Sequence, residues 1–236
     1  DRQIFGMHRQ GAFTEFVAAP VQSLLPWPEN LEARAACLAE PLGNGVHMTK
    51  LTQHLPAENI LIIGAGPIGL MALLAFKVLR NSRVIIAEIG NQRRETALKL
   101  GAESGVNPIV TDTVEYVMEQ TGGEGVDLVI DSVGAGITNK QAVAALRPGG
   151  AAVFIGLHEN KATVNSYDLI LPEKQIIGTY AANLEDLSDA VQLMSKENLD
   201  VTSWTQTYPM DRAKEAFDTM LRPGDTDIKG IILPNN

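Results

Sequence analysis

Short apolar runs and helix-like segments alternate along the chain from residue 58 onwards. The apolar runs are continuous, which is typical of parallel strands that are covered on both faces of a sheet. They predict six strands, at Ile60–Ile63, Val84–Ala87, Ser104–Asn107, Val126–Ile130, Ala151–Ile155 and Gln175–Thr179. Six strands joined by crossovers predict an α/β fold with a doubly wound, parallel six-stranded Rossmann sheet.

Two of the intervening segments predict helices of different kinds. Residues 67–80 are apolar nearly all round, so we expect that helix to be deeply buried. Residues 112–120 begin with Asp112 and carry Glu115 at the spacing of a capping box, which predicts an amphipathic helix that starts there.

The segment before the first predicted strand has a different character. Residues 1–45 are expected to form strands and loops, with a short strand at Phe13–Val17. Leu31 to Lys50 predicts helical pieces, interrupted near Pro41 and Gly43 because both residue types disfavour helix interiors.

The tail, residues 183–236, does not continue the alternation of strands and helices. Apolar residues at helical spacing predict two amphipathic helices, the first marked by Leu184, Leu187, Val191 and Met194 and the second by Ala213, Ala216, Phe217, Met220 and Leu221. A final apolar strand is expected at Ile228–Leu233. We expect the tail to pack against the first 45 residues as part of a second domain. The chain is therefore expected to divide into segments 1–45, 46–182 and 183–236, of which the middle one is the Rossmann domain.

Composition excludes several classes of function. The 236 residues carry a net charge of −9 and no run of Lys and Arg, which argues against a nucleic-acid partner. The single cysteine, Cys37, excludes an internal disulfide and a cysteine-rich zinc lobe within these residues, and it favours a cytoplasmic location. We expect Cys37 itself to be a small, buried helical residue.

No membrane segment is expected. The uncharged stretch Ile60–Phe76 is shorter than the roughly 20 apolar residues that a spanning helix needs, and glycines and Pro67 interrupt it. The chain opens with Asp-Arg-Gln and has no apolar core behind a basic start, so we expect no signal peptide.

The chemistry-bearing motif is a glycine loop, Gly64-Ala65-Gly66-Pro67-Ile68-Gly69. Its position after a predicted strand and before a predicted helix is the context of a dinucleotide-binding loop. Gly64 would allow the tight turn, Gly66 the approach of a pyrophosphate, and Gly69 close packing of helix against strand. The first helical turn, with Pro67 and Ile68, would offer unpaired N–H groups and a partial positive charge to the phosphates.

An acid stands at the end of the second predicted strand, where the adenosine ribose would lie. Glu88 is expected to accept hydrogen bonds from the ribose hydroxyls, and its charge would repel the 2′-phosphate of NADP. The loop and Glu88 therefore predict NAD as the cofactor. Arg93 and Arg94 follow closely and could neutralise a phosphate, which leaves NADP as the alternative.

These residues, taken together, resemble a known family. The chain is similar to the medium-chain, zinc-dependent alcohol and polyol dehydrogenases of the sorbitol and threonine dehydrogenase type. The similar stretches are Gly11–Val17, Ala39–Leu42 with His47, Gly64–Gly69, Glu88 with Gly101–Ala102, and Leu146–Gly150. The resemblance implies a Rossmann domain beside a partial GroES-like catalytic domain.

The resemblance also implies a zinc site of which this chain holds little. In the family, an upstream Cys and a His-Glu pair hold the catalytic zinc, and neither is present here, so we expect a fragment of a longer protein. Glu40 matches the position that supplies or supports a further zinc ligand, and it is the one catalytic and metal residue that the resemblance assigns. Because one acid cannot hold zinc, we expect none bound by this chain.

Further positions are carried over from the family to the cofactor cleft. The resemblance places cofactor-binding residues at strand ends, where doubly wound sheets bind ligands. They are Arg93, Ser132, Val133, Ile155, Leu157 and Thr179.

The leading hypothesis is an NAD-dependent oxidoreductase that acts on a secondary alcohol or polyol and its ketone. A zinc-free, NADP-dependent reductase of the quinone type and a non-catalytic dinucleotide-binding module are the alternatives. The family pairs its sheets edge to edge, so we also expect a homodimer or homotetramer that pairs near residues 175–183.

Overall fold

The computed structural model describes residues 3–197, 199–222 and 224–234. Its strands are β1 (Asn59–Ile63), β2 (Arg83–Ala87), β3 (Ser104–Val106), β4 (Val126–Asp131), β5 (Leu146–Phe154), β6 (Gln175–Gly178), β7 (Thr205–Pro209) and β8 (Lys229–Leu233). Its α-helices are α1 (Ala33–Ala36), α2 (Ala39–Leu51), α3 (Pro67–Arg80), α4 (Asn91–Lys99), α5 (Thr113–Gln120), α6 (Gly136–Ala144), α7 (Ser166–Ile170), α8 (Leu184–Glu197) and α9 (Ala213–Leu221).

The first six strands form one parallel sheet in the order β3-β2-β1-β4-β5-β6. This is the strand order of a Rossmann fold, and its direction of winding reverses between β1 and β4. The predicted fold class and all six predicted strands are confirmed. Ligands of such sheets bind in the crevice outside the carboxyl ends of the strands, at the point of reversal.

Both faces of the sheet are covered, which explains the uninterrupted apolar runs. Ile60 and Ile62 of β1 belong to the larger core, with side chains from α2, α3 and α8. Leu61 and Ile63 point to the opposite face, towards a core that includes residues of α5 and α6. Successive side chains of a strand point to opposite faces, so a strand buried on both sides has to be apolar throughout.

Helix α3 is buried as its composition predicts, and α5 begins as its capping residues predict. Eight consecutive residues of α3, Gly69 to Phe76, are buried. The Asp112 carboxylate accepts hydrogen bonds from the N–H groups of Val114 and Glu115, which satisfies the first turn of α5.

Two expectations for the early part of the chain are wrong. Phe13–Val17 is not a strand: it lies in irregular, largely exposed chain, and no described segment pairs with it. A strand needs a partner for its backbone groups, and an isolated apolar run cannot supply one. Helix α2 is not interrupted near Pro41 and Gly43 either. Pro41 lies in its first turn, where a missing N–H group costs nothing, and the break falls earlier, between α1 and α2.

Glycines allow α2 to pack closely against its neighbours. A side chain at Gly45 would lie 2.7 Å from the Met71 carbonyl oxygen of α3. At Gly43 a side chain would meet Ala182, which precedes α8, and Leu187 of α8, both at 3.1 Å. Helix α2, which leads into the sheet, therefore packs between α3 and α8.

The tail forms both predicted helices, α8 and α9, and the last predicted strand, β8. Strand β8 pairs in parallel with β7, a strand that the sequence pattern did not indicate. Contacts with the first 45 residues are present. Phe13 meets Phe217 edge to face, with ring centroids 5.6 Å apart, and Arg34 donates to the Thr205 hydroxyl at 2.8 Å. The division into three segments stays a prediction.

Candidate functional site

The glycine loop joins β1 to α3 at the reversal of the sheet. Gly64 has a φ of +94°, a conformation that side chains disfavour, and its N–H group bonds to the Ala87 carbonyl at 2.8 Å. A side chain at Gly69 would collide with the Gly64 carbonyl oxygen. The first and last glycines are therefore required by the turn and by the close packing of α3 on it.

Gly66 is different, because nothing in the fold requires a glycine there. A side chain at this position would meet no described atom within 4 Å, and its φ of −76° suits any residue. The space beside Gly66 is open, and it lies at the start of α3, where Pro67 occupies the first position. Backbone N–H groups of a first helical turn have no partner inside the helix and attract anions.

Ser132 ties the loop after β4 to the glycine loop. Its hydroxyl donates to the Ile63 carbonyl at 2.7 Å and lies 3.2 Å from the Gly64 carbonyl. The same hydroxyl would obstruct a side chain at Gly64. The structure therefore places Ser132 at the glycine loop, on the reversal side of the crevice.

Glu88 ends β2 and is almost fully buried. One carboxylate oxygen accepts the Ala65 N–H at 2.7 Å, and the other accepts the Gly90 N–H at 2.8 Å. The acid is thus fixed against the glycine loop. Each carboxylate oxygen has two acceptor positions, so one on each oxygen is left for a ligand hydroxyl.

The two arginines that followed Glu88 in sequence are engaged elsewhere. Arg93 donates to the Asp227 carbonyl at 2.9 Å, and Arg94 donates to the Glu88 carbonyl at 3.0 Å and to the Asn91 side chain at 2.7 Å. Neither guanidinium is bound to the Glu88 carboxylate in these contacts. Arg93 and Arg94 instead bond to the backbone of Asp227 and Glu88 and to the Asn91 side chain.

A cavity of about 440 Å³ lies beside the glycine loop. Pro67 and Arg93 line it from the sheet side, and Phe13, Phe217 and Lys229 line it from the segments that flank the sheet. Two cationic side chains, Arg93 and Lys229, line the same cavity as Pro67 at the start of α3, and the acidic Asp227 lines it as well. Arg93 is thus placed at the predicted cofactor region, although its guanidinium also contacts the tail.

The far end of the crevice is built from a crossing of two loops. A side chain at Gly134, after β4, would collide with the Gly156 backbone, and one at Gly156 would collide with Val133 and Gly134. Leu157 follows this crossing and is 78% exposed, whereas Ile155 packs against the larger core. The crossing brings the loops that follow β4 and β5 into contact, and the cofactor role of Val133, Ile155 and Leu157 stays a prediction.

Thr179 follows β6 and is the last of the predicted cleft residues. Its N–H group donates to the Phe154 carbonyl at 3.0 Å, so it continues the sheet. Its hydroxyl is buried and has no hydrogen-bond partner in the part of the chain that the structure describes. A buried hydroxyl without a partner at the carboxyl end of a strand is suited to a polar ligand group.

Asp131 organises the loop after β4, and sequence reasoning missed it. Its fully buried carboxylate accepts the N–H groups of Val133 and Gly134, the Thr138 hydroxyl and the Asn139 amide, at 2.7–3.0 Å. The signal was available, because an acid at the end of an apolar strand needs partners. Its role is to fix the loop that carries Val133 and Gly134.

Glu40 has a structural partner. The Asn44 amide donates to the Glu40 carboxylate at 3.0 Å and to its carbonyl at 2.9 Å. Among the residues that the structure describes, no three His, Cys, Asp or Glu side chains are grouped as metal ligands. The described donors therefore do not fit a zinc ion, whereas the open space at Gly66, the fixed Glu88 and the Thr179 hydroxyl fit a dinucleotide.

Cys37 corrects an expectation. It is exposed at the end of α1, and its thiol lies 3.2 Å from the Arg34 carbonyl, so it is not the buried helical residue that we expected.

The expectation about membrane segments can also be compared with the structure. Within the described ranges, no helix combines the length and the apolar character that crossing a bilayer requires.

Comparison with known proteins gives consistent relatives. The family model described as zinc-binding dehydrogenase matches residues 67–196, which is more than half of the chain. L-threonine 3-dehydrogenase of Pyrococcus horikoshii is 34% identical over 95% of this chain, and the match covers 65% of that enzyme. The chain therefore spans about two thirds of the length of the curated relatives it matches.

A second relative and a solved structure are also dehydrogenases. L-galactonate-5-dehydrogenase of Escherichia coli is 29% identical over 97% of this chain and 67% of its own length. A crystal structure of an Escherichia coli oxidoreductase/dehydrogenase of unknown specificity superposes with a TM-score of 0.88 and 27% identity. That match covers 97% of this chain and 65% of the other.

Proposed function

This chain belongs to the zinc-binding dehydrogenase family, and from that premise we propose that it binds NAD as the cofactor-binding part of an oxidoreductase. In the whole protein, the reaction is hydride transfer between a secondary alcohol or polyol and NAD. The observation that carries the proposal is the open space at Gly66, in a loop whose other two glycines are dictated by packing.

The loop suits a pyrophosphate for a reason of shape and charge. A ligand can approach the backbone closely at Gly66, because no side chain occupies the space. The partial positive charge at the start of α3 stabilises an anion there, and Arg93 and Lys229 line the adjoining cavity. A structural turn without a ligand would not need the open space at Gly66.

NAD is proposed over NADP because of Glu88. The carboxylate is fixed by two backbone N–H groups, so it cannot turn away from a ribose that lies against β2. Its remaining acceptor positions suit two neighbouring ribose hydroxyls, and its charge repels a 2′-phosphate.

The substrate class is proposed from the relatives. Two of them are dehydrogenases of L-threonine and L-galactonate, and the carbons numbered in their names each carry a secondary hydroxyl. The Thr179 hydroxyl and the loops that cross at Gly134 and Gly156 would orient the nicotinamide for transfer. The zinc ion that the resemblance implies for the whole protein would need ligands that the described residues do not supply; Glu40 is the one residue of this chain that the resemblance assigns to its site.

We also propose that the chain associates through β6. This strand is at the edge of the sheet, and its Gln175, Ile176 and Gly178 are exposed. An exposed edge strand can pair with a second copy through its backbone groups. Sedimentation at micromolar concentration tests this, and a monomer throughout would refute it.

The decisive experiment compares two alanine substitutions by calorimetric titration. Gly66→Ala and Gly178→Ala both place a methyl group where no described atom lies within 4 Å, so neither should unfold the chain. Titrations use NAD and ADP, which share the pyrophosphate. Gly66→Ala should weaken both at least tenfold, and Gly178→Ala should leave ADP affinity unchanged.

Thermal unfolding of both variants provides the control for folding. Absence of NAD binding by the unsubstituted chain would refute the proposed function. Unchanged affinity in Gly66→Ala would show that the loop does not hold the pyrophosphate.

A further inference from the structure

The loop between α9 and β8 reaches the start of α4. Within it, the Asp225 carboxylate accepts the Gln92 N–H group at 2.9 Å. Residue 90, at the N-cap of α4, is a glycine with no side chain of its own to offer. An acid far away in sequence therefore supplies the acceptor that a helix N-terminus needs.

Asp225 and Glu88 lie on the same side of Gly90. A side chain at Gly90 would collide with the Asp225 carboxylate and lie 3.3 Å from a Glu88 carboxylate oxygen. Two acids from different parts of the chain thus flank one backbone position, directly after the strand end where the ribose is proposed to lie.

This position matters for cofactor choice. A 2′-phosphate beside Glu88 would need donors from the start of α4 and a nearby arginine. The Gln92 N–H is taken by Asp225, the Arg93 guanidinium contacts the Asp227 carbonyl, and Arg94 contacts the Glu88 carbonyl. The groups that would receive the phosphate are already engaged, and a carboxylate stands among them.

We propose that Asp225 is a second specificity residue that selects NAD against NADP by occupying the place of the 2′-phosphate. The inference rests on the proposed function, since it assumes that the ribose lies against Glu88. It goes further because the determinant lies in the tail, outside the sheet and outside the segment that carries Glu88. The tail is then part of the adenosine site.

A helix cap alone would have a different signature. If Asp225 only satisfied the Gln92 N–H, its removal would lower the stability of the chain without changing the ratio of NAD to NADP affinity. Asp225→Asn separates the two roles, because asparagine retains an acceptor oxygen for the cap and loses the charge.

The test is calorimetric titration of the unsubstituted chain, Asp225→Asn and a control with NAD and with NADP. Asp218→Asn is the control: it removes the same charge from the exposed surface of α9, where Asp218 pairs with Lys214. We expect Asp225→Asn to lower the Kd for NADP relative to that for NAD about tenfold, and Asp218→Asn to leave the ratio unchanged.

The outcomes separate the two proposals. If the unsubstituted chain binds NAD and the ratio is the same in Asp225→Asn, the role of Asp225 is overturned and the proposed function stands. If the control shifts the ratio equally, net charge is the cause and the role is overturned. If the unsubstituted chain binds neither dinucleotide, both proposals fail.

Discussion

The Nδ1 atom of His47 lies 2.8 Å from the Oδ2 atom of Asp186, and this contact joins the helix that enters the sheet to the helix that leaves it. The Asp186 side chain is completely buried, and its other oxygen lies 3.0 Å from the Lys50 ammonium. Asp186 also accepts the Asn183 N–H at 3.1 Å, at the start of α8. One buried acid therefore organises the junction of α2 and α8.

Replacing this acid should destabilise the chain. We expect Asp186→Ala to lower the free energy of unfolding by about 3 kcal/mol, because it removes the hydrogen bonds that a fully buried carboxylate makes with His47, Lys50 and the Asn183 N–H group. Urea unfolding at neutral pH measures the change. Asp189→Ala is the matched control: Asp189 contacts Lys50 at 2.7 Å but is 44% exposed, so its loss should cost less than about 1 kcal/mol. Equal costs would contradict the role of burial.

The same carboxyl gives a pH dependence. Burial raises the pKa of Asp186, but hydrogen bonds from the Asn183 N–H, Lys50 and His47 outweigh it and hold the pKa below its ordinary value. The folded state therefore favours the ionised form, and the stabilisation is complete above the ordinary carboxyl pKa of about 4. It is lost as the pH falls through the lower folded value. The difference between the unsubstituted chain and Asp186→Ala should shrink below about pH 4, and a constant difference would show that ionisation is irrelevant.

Two glycines of α2 should respond differently to alanine. Gly45→Ala places a methyl group 2.7 Å from the Met71 carbonyl oxygen, a backbone atom that cannot move alone. We expect a net loss of about 1–3 kcal/mol. At Gly43 the nearest atoms belong to side chains at 3.1 Å, and alanine gains roughly 1 kcal/mol of helix propensity, so Gly43→Ala should be near neutral. Thermal unfolding of both variants decides this, and the reverse order would contradict the close approach of α2 and α3.

Removing the charge of Glu88 should weaken NAD binding. Glu88→Gln retains the size of the side chain but loses the charged acceptor, so we expect about tenfold lower affinity for NAD and a smaller preference over NADP. Glu95→Gln, on the exposed face of α4, removes the same charge elsewhere. Fluorescence titration with both dinucleotides measures the ratio. A ratio that is the same in both variants would remove Glu88 from the site.

The sheet was predictable because its signals are local. Strands buried on both faces are apolar throughout, and the glycine loop with Glu88 lies within a short stretch of sequence. Each of these features follows from neighbouring residues, so the six strands and the helix after the loop were correctly predicted.

Three of the misses share one physical cause, which is dependence on distant partners. Phe13–Val17 has the composition of a strand, but a strand forms only beside another. Strand β7 was missed because its Thr-Gln-Thr-Tyr-Pro sequence becomes a strand through pairing with β8. The sequence could not connect Asp225 with the region of Glu88. Asp225 accepts a hydrogen bond from the Gln92 N–H group, which lies 133 positions earlier in the chain.

The crossing of Gly134 and Gly156 has a consequence for how this protein can vary. Two backbones in contact leave no side chain to exchange, so substitution cannot reshape the cleft at this point. Diversification has to come from positions on either side, such as the exposed Leu157, or from segments that approach from outside the sheet. The backbone contact between Gly134 and Gly156 thus fixes the shape of the cleft at one point, and side chains set its shape only on either side of that point.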